Sequence, residues 1–133
     1  MISYAQVGQG YQGRNIISME IDIPNGHKYG RQVDSFLSSE LTPTQYVETL
    51  ERIETYERFT LLELIRMHKL EKLEGRLYEL RVPIAKVKLR FFGVLCSARL
   101  ALIHVIKKKS QRIPVKELRT AKEKASLFDC ASL

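Results

Sequence analysis

The sequence predicts an α+β fold, in which a small antiparallel β-sheet has N-terminal helices packed on one face and is followed by a C-terminal helix. Three observations predict this fold. Apolar side chains recur at helical spacing between residues 42 and 65, they alternate with a period of two after Gly75, and helical spacing returns after Pro114. Strands that are grouped in one run, with helices on both sides of the run, are typical of α+β folds.

The chain has the size and composition of one compact domain, with 133 residues, 44% of them hydrophobic and 28% charged. We divide it into a loose leader of residues 1–15, a single domain of residues 16–129 and a tail of residues 130–133. No apolar run approaches the roughly 20 residues that a membrane helix needs. The start of the chain also lacks the pattern of a secretory signal.

The two cysteines, Cys96 and Cys130, form no motif and favour a reducing compartment, so we expect a cytoplasmic protein. The net charge of +7 is unevenly distributed, because residues 1–65 sum to −4 and residues 66–133 sum to +11. Such a basic half indicates nucleic acid, or an acidic partner that mimics it, although a solvated basic face is the simpler interpretation.

The leader contains the spacing G-x-G-x-x-G at Gly8, Gly10 and Gly13. A dinucleotide-binding loop needs a strand before these glycines and a helix directly after them. Residues 15–23 instead alternate apolar and polar side chains, which predicts a strand. The spacing therefore does not indicate a cofactor site.

Two helices and a third helical piece are predicted next. A short helix covers about residues 31–38, with Val33, Phe36 and Leu37 buried. A capping box then opens a second helix, whose N-cap, N1 and N3 residues are Thr42, Pro43 and Gln45. The apolar stripe of the second helix consists of Tyr46, Leu50, Ile53 and Tyr56. The period slips at residues 58–60, so we expect a break and a further helical piece through residues 61–65.

Three strands follow, over about residues 76–82, 87–96 and 100–108, and Gly93 marks an expected bulge. The short connections favour an antiparallel meander. One face of this sheet should pack on the N-terminal helices and the other face should be basic. Pro114 begins the last helix, whose buried stripe is Leu118, Ala121, Ala125 and Phe128.

The runs LEGRLYELRV, LRFFGVL and ALIHVIKKKSQRIPVKEL, followed by AKEKA, resemble the toxins of bacterial type II toxin–antitoxin pairs. The resemblance is nearest to the phage-derived, HigB-like branch of the RelE/ParE superfamily and covers about residues 17–128. It implies the order strand, two helices, three strands, helix. It also implies a small ribonuclease that cuts messenger RNA, commonly in the ribosomal A site, and is neutralised by an antitoxin that is often a helix-turn-helix DNA-binding protein.

The chemistry of RNA cleavage agrees with this resemblance. Attack of a 2′-hydroxyl on phosphorus builds negative charge, which Arg and Lys donors stabilise without a metal. We expect Arg81 of the ELR motif and Arg90 at the family's strand-three arginine position to clamp the phosphate, although either arginine alone could be an ordinary surface residue. Lys108, in the family's lysine pair, is a further catalytic candidate. The candidate RNA-binding residues are Lys107, Lys109, Arg112, Lys116 and Arg119.

The sequence alone does not decide which residue transfers the proton. His104 is the only histidine in the matched motifs and has a near-neutral pKa, which makes it a catalytic candidate. Strand alternation places it on an apolar face, so a role in the core is favoured over that of a base. Glu79 shares a strand face with Arg81 and is either a base or a salt-bridge partner. No tyrosine follows Tyr78 to serve as an aromatic base.

We expect no metal and no cofactor, because the three histidines lack metal-ligand spacing and no P-loop or nucleophile elbow is present. The expected partners are a cognate antitoxin, messenger RNA and the ribosome, with no membrane. Three other functions remain open: a gyrase-poisoning toxin of the ParE type, a non-toxic phage relic that only binds a partner, and a plain nucleic-acid-binding module.

Overall fold

The computed structural model describes residues 18–133, so the predicted leader of residues 1–15 and its glycines lie outside it. The α+β class is confirmed. No helix in the described part is long and apolar enough to cross a membrane. The elements are β1 (Glu20–Asp22), α1 (Lys28–Glu40), α2 (Pro43–Tyr56), α3 (Leu61–Arg66), β2 (Leu70–Glu74), β3 (Leu77–Ile84), β4 (Val87–Cys96), β5 (Arg99–Lys107), α4 (Val115–Leu127) and a 3-10 turn (Cys130–Ser132).

The five strands form one sheet in the order β1-β5-β4-β3-β2. The predicted meander is present as β3, β4 and β5, and β2 extends it as an antiparallel edge strand. β1 pairs parallel with the start of β5, so the complete sheet is mixed. The sequence did not predict β2, because its LEKLE segment exposes three of its five residues and therefore has little apolar alternation. Charged side chains of this kind are typical of edge strands.

The capping box of α2 is confirmed. The Thr42 hydroxyl accepts from the Gln45 N–H at 3.1 Å, and the Gln45 side chain accepts from the Thr42 N–H at 3.0 Å. The predicted stripe of α2 is wrong at Leu50, which is 40% exposed, whereas Thr49 is fully buried. The Thr49 hydroxyl donates to the Gln45 carbonyl at 2.8 Å, and this bond satisfies its polar group inside the helix.

The break after α2 is confirmed, and a second capping box, formed by Thr60 and Glu63, opens α3 there. The first helix is longer than predicted, because it begins at Lys28. The side chain of His27 caps it by accepting from the Tyr29 N–H at 3.1 Å. Sequence-based capping rules emphasise Ser, Thr, Asp and Asn, so this histidine cap was not recognised.

Both faces of the sheet are covered. Helices α1 to α3 pack on the main core, which contains residues such as Leu37, Leu80 and Phe91. Helix α4 packs on the opposite face through Ala121 and Phe128. The prediction that this face is basic holds near Arg81 and Arg90 and is wrong for the part that α4 covers. That face carries apolar side chains of its own, Leu77, Phe92, Val94, Ile103 and Ile106, and α4 removes many of them from water.

The expected irregularity at Gly93 is confirmed, and it changes the position of His104. Phe92 pairs with His104 and Gly93 pairs with Leu102, so Ile103 is the extra residue of a bulge. A side chain at Gly93 would be squeezed, because an added Cβ would lie 2.7 Å from Cγ of Leu100. The bulge turns His104 onto the face of Phe92. Strict alternation groups His104 with Leu100, Leu102 and Ile106. That expectation is wrong for the two leucines, whereas His104 does share the face of Ile106.

Cys96 and Cys130 form a disulfide that joins the end of β4 to the segment after α4. Arg76 supports the same junction by donating to the Phe128 carbonyl at 3.2 Å and to the Cys130 Sγ at 2.9 Å. The sequence does not predict this bond, because the two cysteines are 34 residues apart and belong to no motif. Because the two cysteines are paired, they no longer favour a reducing compartment.

Candidate functional site: a basic cleft

A cleft of about 470 Å³ lies at the C-terminal end of β5, between the end of α1 and the start of α4. It contains six of the nine site residues that the sequence predicts: Arg90, His104, Lys107, Lys108, Lys109 and Arg112. Two carboxylates, Glu40 and Glu117, also line it. Cationic side chains outnumber anionic ones, so we call this surface the basic cleft.

Arg90 holds the backbone of the basic cleft in place. Its Nη2 donates to the carbonyls of Ser110 and Gln111, at 3.0 and 2.8 Å. The side chain is 4% exposed. Its guanidinium therefore lies beneath residues 107–112, which we call the lysine-rich segment, and not on an open sheet face. Because β4 fixes Arg90 and Arg90 fixes two carbonyls of this segment, the positions of the adjacent lysines depend on it.

Glu79 connects the two predicted phosphate clamps. Arg81 and Arg90 lie directly opposite each other on β3 and β4. Glu79 has one oxygen 3.1 Å from Nη2 of Arg81 and the other 3.2 Å from Nε of Arg90. The contact with Arg90 is an ion pair without hydrogen-bond alignment. Glu79 is 2% exposed, so salt-bridge partner is the interpretation that the geometry favours over base.

Arg81 does not line the basic cleft. It forms a second ion pair with Glu71 and donates to the His68 carbonyl at 3.2 Å. These contacts direct its guanidinium toward β2 and leave its side chain 34% exposed. The structure therefore brings Arg90 to the cleft and Arg81 only to the ion-pair network behind it.

His104 is held by two residues of α4. Its Nε2 is 2.8 Å from Oε1 of Glu117, and its Nδ1 is 3.1 Å from Nζ of Lys124. Burial chiefly lowers the pKa of His104, and the charge of Lys124 lowers it further, against the opposing hydrogen bond from Glu117. A neutral ring fits these contacts, with Nε2–H donating to the carboxylate and Nδ1 accepting from the ammonium.

Glu117 and Lys124 were missed as site residues in the sequence analysis. Burial also lowers the pKa of Lys124, against the opposing charge of Glu117. The two residues are seven positions apart on α4 and therefore lie on one helix face. A glutamate and a lysine at this spacing, next to a strand with a histidine, could have identified them, but only if the bulge that turns His104 toward α4 were known.

The lysine-rich segment presents its charges differently along its length. Lys107 pairs with Glu40 at 3.2 Å. Within residues 18–133, Lys108, Lys109 and Arg112 form no ion pair. The backbone N–H of Lys108 donates to the Lys88 carbonyl at 2.7 Å, which fixes this point of the segment against β4. The three cations are therefore available to an anionic ligand.

Lys116 and Arg119 lie on the exposed side of α4 and do not line the basic cleft. Residues 18–133 also contain no group of three His, Cys, Asp or Glu side chains that could hold a metal ion. The basic cleft combines cations that suit a polyanion with a carboxylate–imidazole–ammonium network.

Comparison with protein families gives a match over much of the chain. Residues 38–126 match the model of the family described as Phage derived protein Gp49-like (DUF891), a family of RelE-like toxins. The match extends from the end of α1 into α4 and so includes most of the basic cleft. No curated protein and no solved structure matches the chain.

Proposed function

We propose a function from the premise that this chain belongs to the Gp49-like family of phage-derived, RelE-like toxins. The protein is the toxin of a type II toxin–antitoxin pair, and it is an endoribonuclease that cuts messenger RNA on the ribosome. Its placement in the HigB-like branch rests on the motifs described above. Its place of action is the cytoplasm, and its partners are a cognate antitoxin, messenger RNA and the ribosome.

The observation that carries this proposal is the position of Lys108, Lys109 and Arg112, which form no ion pair with any described residue, beside the Glu117–His104 pair in one cleft. Cleavage of RNA by its own 2′-hydroxyl needs positive charge at the phosphate and a group that accepts a proton. The basic cleft offers both within a single concave surface. Its volume of about 470 Å³ is sufficient for a nucleotide-sized ligand.

We assign the roles as follows. Glu117, whose side chain is 39% exposed, accepts the proton of the 2′-hydroxyl, and His104 keeps that carboxylate in position. The 2′-oxygen bonds to phosphorus and the bond to the 5′-oxygen breaks, which leaves a cyclic phosphate. Lys108 donates a proton to the departing 5′-oxygen. Lys109 and Arg112 stabilise the charge on the non-bridging oxygens.

One observation favours a second candidate function, that of a nucleic-acid-binding module without nuclease activity. Both ring nitrogens of His104 are already occupied, by Glu117 and Lys124. A histidine whose two nitrogens have partners needs to exchange one of them before it can take part directly in proton transfer. If the network serves only to fix α4 on the sheet, the cations bind RNA and no cleavage follows.

A reconstituted translation assay separates the two functions. Purified protein is added to ribosomes that are translating a defined messenger, and new RNA ends are mapped by primer extension. The proposed nuclease produces ends only when ribosomes are translating, and Glu117→Gln greatly reduces them. Lys72→Ala, on the far edge strand β2, should cut as well as the wild type. RNA binding without new ends would support the binding module and contradict the nuclease.

A further inference from the structure

A second concave surface lies between α2 and β1, with a volume of about 410 Å³. We call it the acidic groove. It shares no residue with the basic cleft. Its lining consists of Ile21, Ile23, Tyr46, Val47, Leu50, Glu51, Ile53, Glu54 and Glu57.

The acidic groove exposes apolar surface that the fold does not use. Val47 is 53% exposed and Leu50 is 40% exposed, one turn apart on α2. Ile21 and Ile53 form the floor beneath them and belong to the main core. An exposed apolar patch that is continuous with a core and bordered by polar residues is typical of an interaction surface.

The charged side chains that line the groove have one sign. Its lining contains three carboxylates and no Lys or Arg. Burial raises the pKa of Glu57 against the hydrogen bond from the Ile21 N–H, and the neighbouring carboxylates Glu20, Glu54 and Asp22 raise it further. Arg99 offsets only part of this charge, through its ion pair with Glu20 at 2.9 Å. The groove would therefore attract a cationic ligand and would repel RNA, which is anionic.

The adjacent edge of β1 is already capped. The Ile21 N–H donates to Oε2 of Glu57 at 2.8 Å, and the Met19 N–H donates to the Phe59 carbonyl at 2.8 Å. A partner strand would have to displace both acceptors before it could add to this edge. A helix needs no backbone pairing, only an apolar stripe and charged flanks. The geometry therefore favours a helical ligand over an added strand.

We propose that the acidic groove binds a cationic amphipathic helix of a partner protein. The apolar stripe of that helix packs on Val47 and Leu50, and its Lys or Arg side chains pair with Glu51, Glu54 and Glu57. This inference goes beyond the proposed function, because it holds whether or not the protein cuts RNA.

The groove and the cleft lie at opposite ends of β5. β1 pairs with Arg99, Leu100 and Ala101, whereas the basic cleft begins at His104 and continues to Arg112. From Leu100 a strand extends about 13 Å to His104, where the cleft begins, and about 23 Å to Lys107. A helix in the groove therefore leaves the cleft open, and RNA and the partner helix bind at the same time without sharing a residue.

The probe for this site is a synthetic helical peptide with a leucine stripe and lysine flanks, and its counterpart has glutamate in place of every lysine. Binding is measured by fluorescence anisotropy on the full chain. The lysine peptide should bind, and its affinity should fall at least about tenfold, or 1.4 kcal/mol, in Val47→Ser/Leu50→Ser and in Glu51→Lys/Glu54→Lys.

Matched controls exclude general effects of surface and charge. Leu62→Ser changes a side chain on α3 that is 53% exposed and outside the groove, and Glu123→Lys changes an exposed carboxylate on α4. Both controls should bind the lysine peptide as the wild type does, and circular dichroism should show every variant folded. A circular-dichroism spectrum also verifies that both peptides are helical.

The proposal would be overturned if the lysine peptide did not bind, or if the glutamate peptide bound the groove equally well. It would also be overturned if the control variants lost as much affinity as the groove variants. A fourth contrary result is self-association of the protein that Val47→Ser/Leu50→Ser abolishes. The last result would identify a second copy of the chain as the occupant. Because none of these measurements uses RNA, the outcome is independent of whether the protein proves to be a nuclease.

Discussion

Glu79 and Arg90 form an ion pair between two neighbouring strands of the sheet, with Oε2 of the carboxylate 3.2 Å from Nε of the guanidinium. Their side chains are only 3% and 4% exposed. The arginine that the family resemblance assigns to the phosphate is therefore also part of the folded core. Its effects on stability and on activity have to be measured separately.

The first prediction concerns Arg90→Ala. It removes the partner of a buried carboxylate and the donor to the Ser110 and Gln111 carbonyls. We expect the free energy of unfolding to fall by about 3 kcal/mol, because the buried Glu79 carboxylate keeps only its ion pair with Arg81 and two carbonyls lose their donor. Urea denaturation measures this loss. A loss below about 1 kcal/mol would contradict a structural role for this arginine.

A double-mutant cycle with Glu79→Ala shows how much of the loss comes from the pair. Residues in one ion-pair network couple by about 0.5–3 kcal/mol. We expect the double variant to be more stable than the sum of the single losses implies. Strict additivity would contradict the ion pair.

The second prediction concerns the open cations of the basic cleft. Lys109→Ala and Arg112→Ala should weaken RNA binding without loss of stability, because both residues are exposed and neither has an ion-pair partner among residues 18–133. Each lost phosphate contact should reduce the slope of log K against log salt by about 0.7 for single-stranded RNA. Filter binding over a salt series measures both quantities.

Lys72→Ala is the matched control for these variants, since it also removes one exposed cation but lies on the far edge strand β2. Equal losses in Lys72→Ala and Lys109→Ala would mean that only net charge matters. Such a result would contradict a specific cleft. Lys116→Ala and Arg119→Ala test whether RNA continues along α4, as the sequence predicts.

The third prediction concerns pH. Burial and Lys124 lower the pKa of His104 from its ordinary 6.5, against the opposing effect of Glu117. Below pH 6.5 the unfolded chain therefore binds a proton that the folded chain does not, and stability falls as the pH falls. Above pH 6.5 the imidazole of His104 is neutral in both the folded and the unfolded chain, so His104 adds no pH dependence to stability.

His104→Gln removes this contribution and keeps a polar side chain between Glu117 and Lys124. Between pH 6.5 and about 5 its stability should fall less steeply than that of the wild type, as measured by urea denaturation at each pH. His68→Asn is a comparison variant for histidine content, because the His68 side chain is exposed. A wild-type slope that His104→Gln leaves unchanged would contradict the buried, neutral His104.

The fourth prediction concerns the disulfide. Cys96→Ser/Cys130→Ser should lower the free energy of unfolding by about 2–4 kcal/mol, because the bond restricts the unfolded chain. Arg76 still holds the Phe128 carbonyl, so α4 should stay docked and RNA binding should be retained. Thermal unfolding with and without dithiothreitol measures the effect. Equal stability of the oxidised wild type and the double variant would contradict it.

Much of the fold could be predicted from local patterns. The capping box at Thr42, the break before α3 and the bounds of β4 depend on residues close together in sequence. The parallel pairing of β1 with β5 could not be predicted in this way, because it joins residues that are 79 positions apart. Local periodicity contains no information about such a pairing.

The candidate site was predictable in composition and only partly in geometry. The motifs selected six residues that line one cleft. A single bulge residue, Ile103, reverses the direction of His104, and strict alternation cannot anticipate it. The partners of His104 on α4 then follow from tertiary packing, so Glu117 and Lys124 could be recognised only in three dimensions.

The most direct test of the central claim is to induce the chain in bacteria without any neighbouring gene and to map the 5′ ends of messenger RNA within minutes. We predict new ends inside translated regions, their disappearance when translation is blocked, and far fewer of them with Glu117→Gln at equal protein level. Growth arrest without new ends would contradict the nuclease and favour a target such as gyrase. If neither new ends nor growth arrest were observed, the nuclease would also be contradicted, and a protein that binds without cutting would remain.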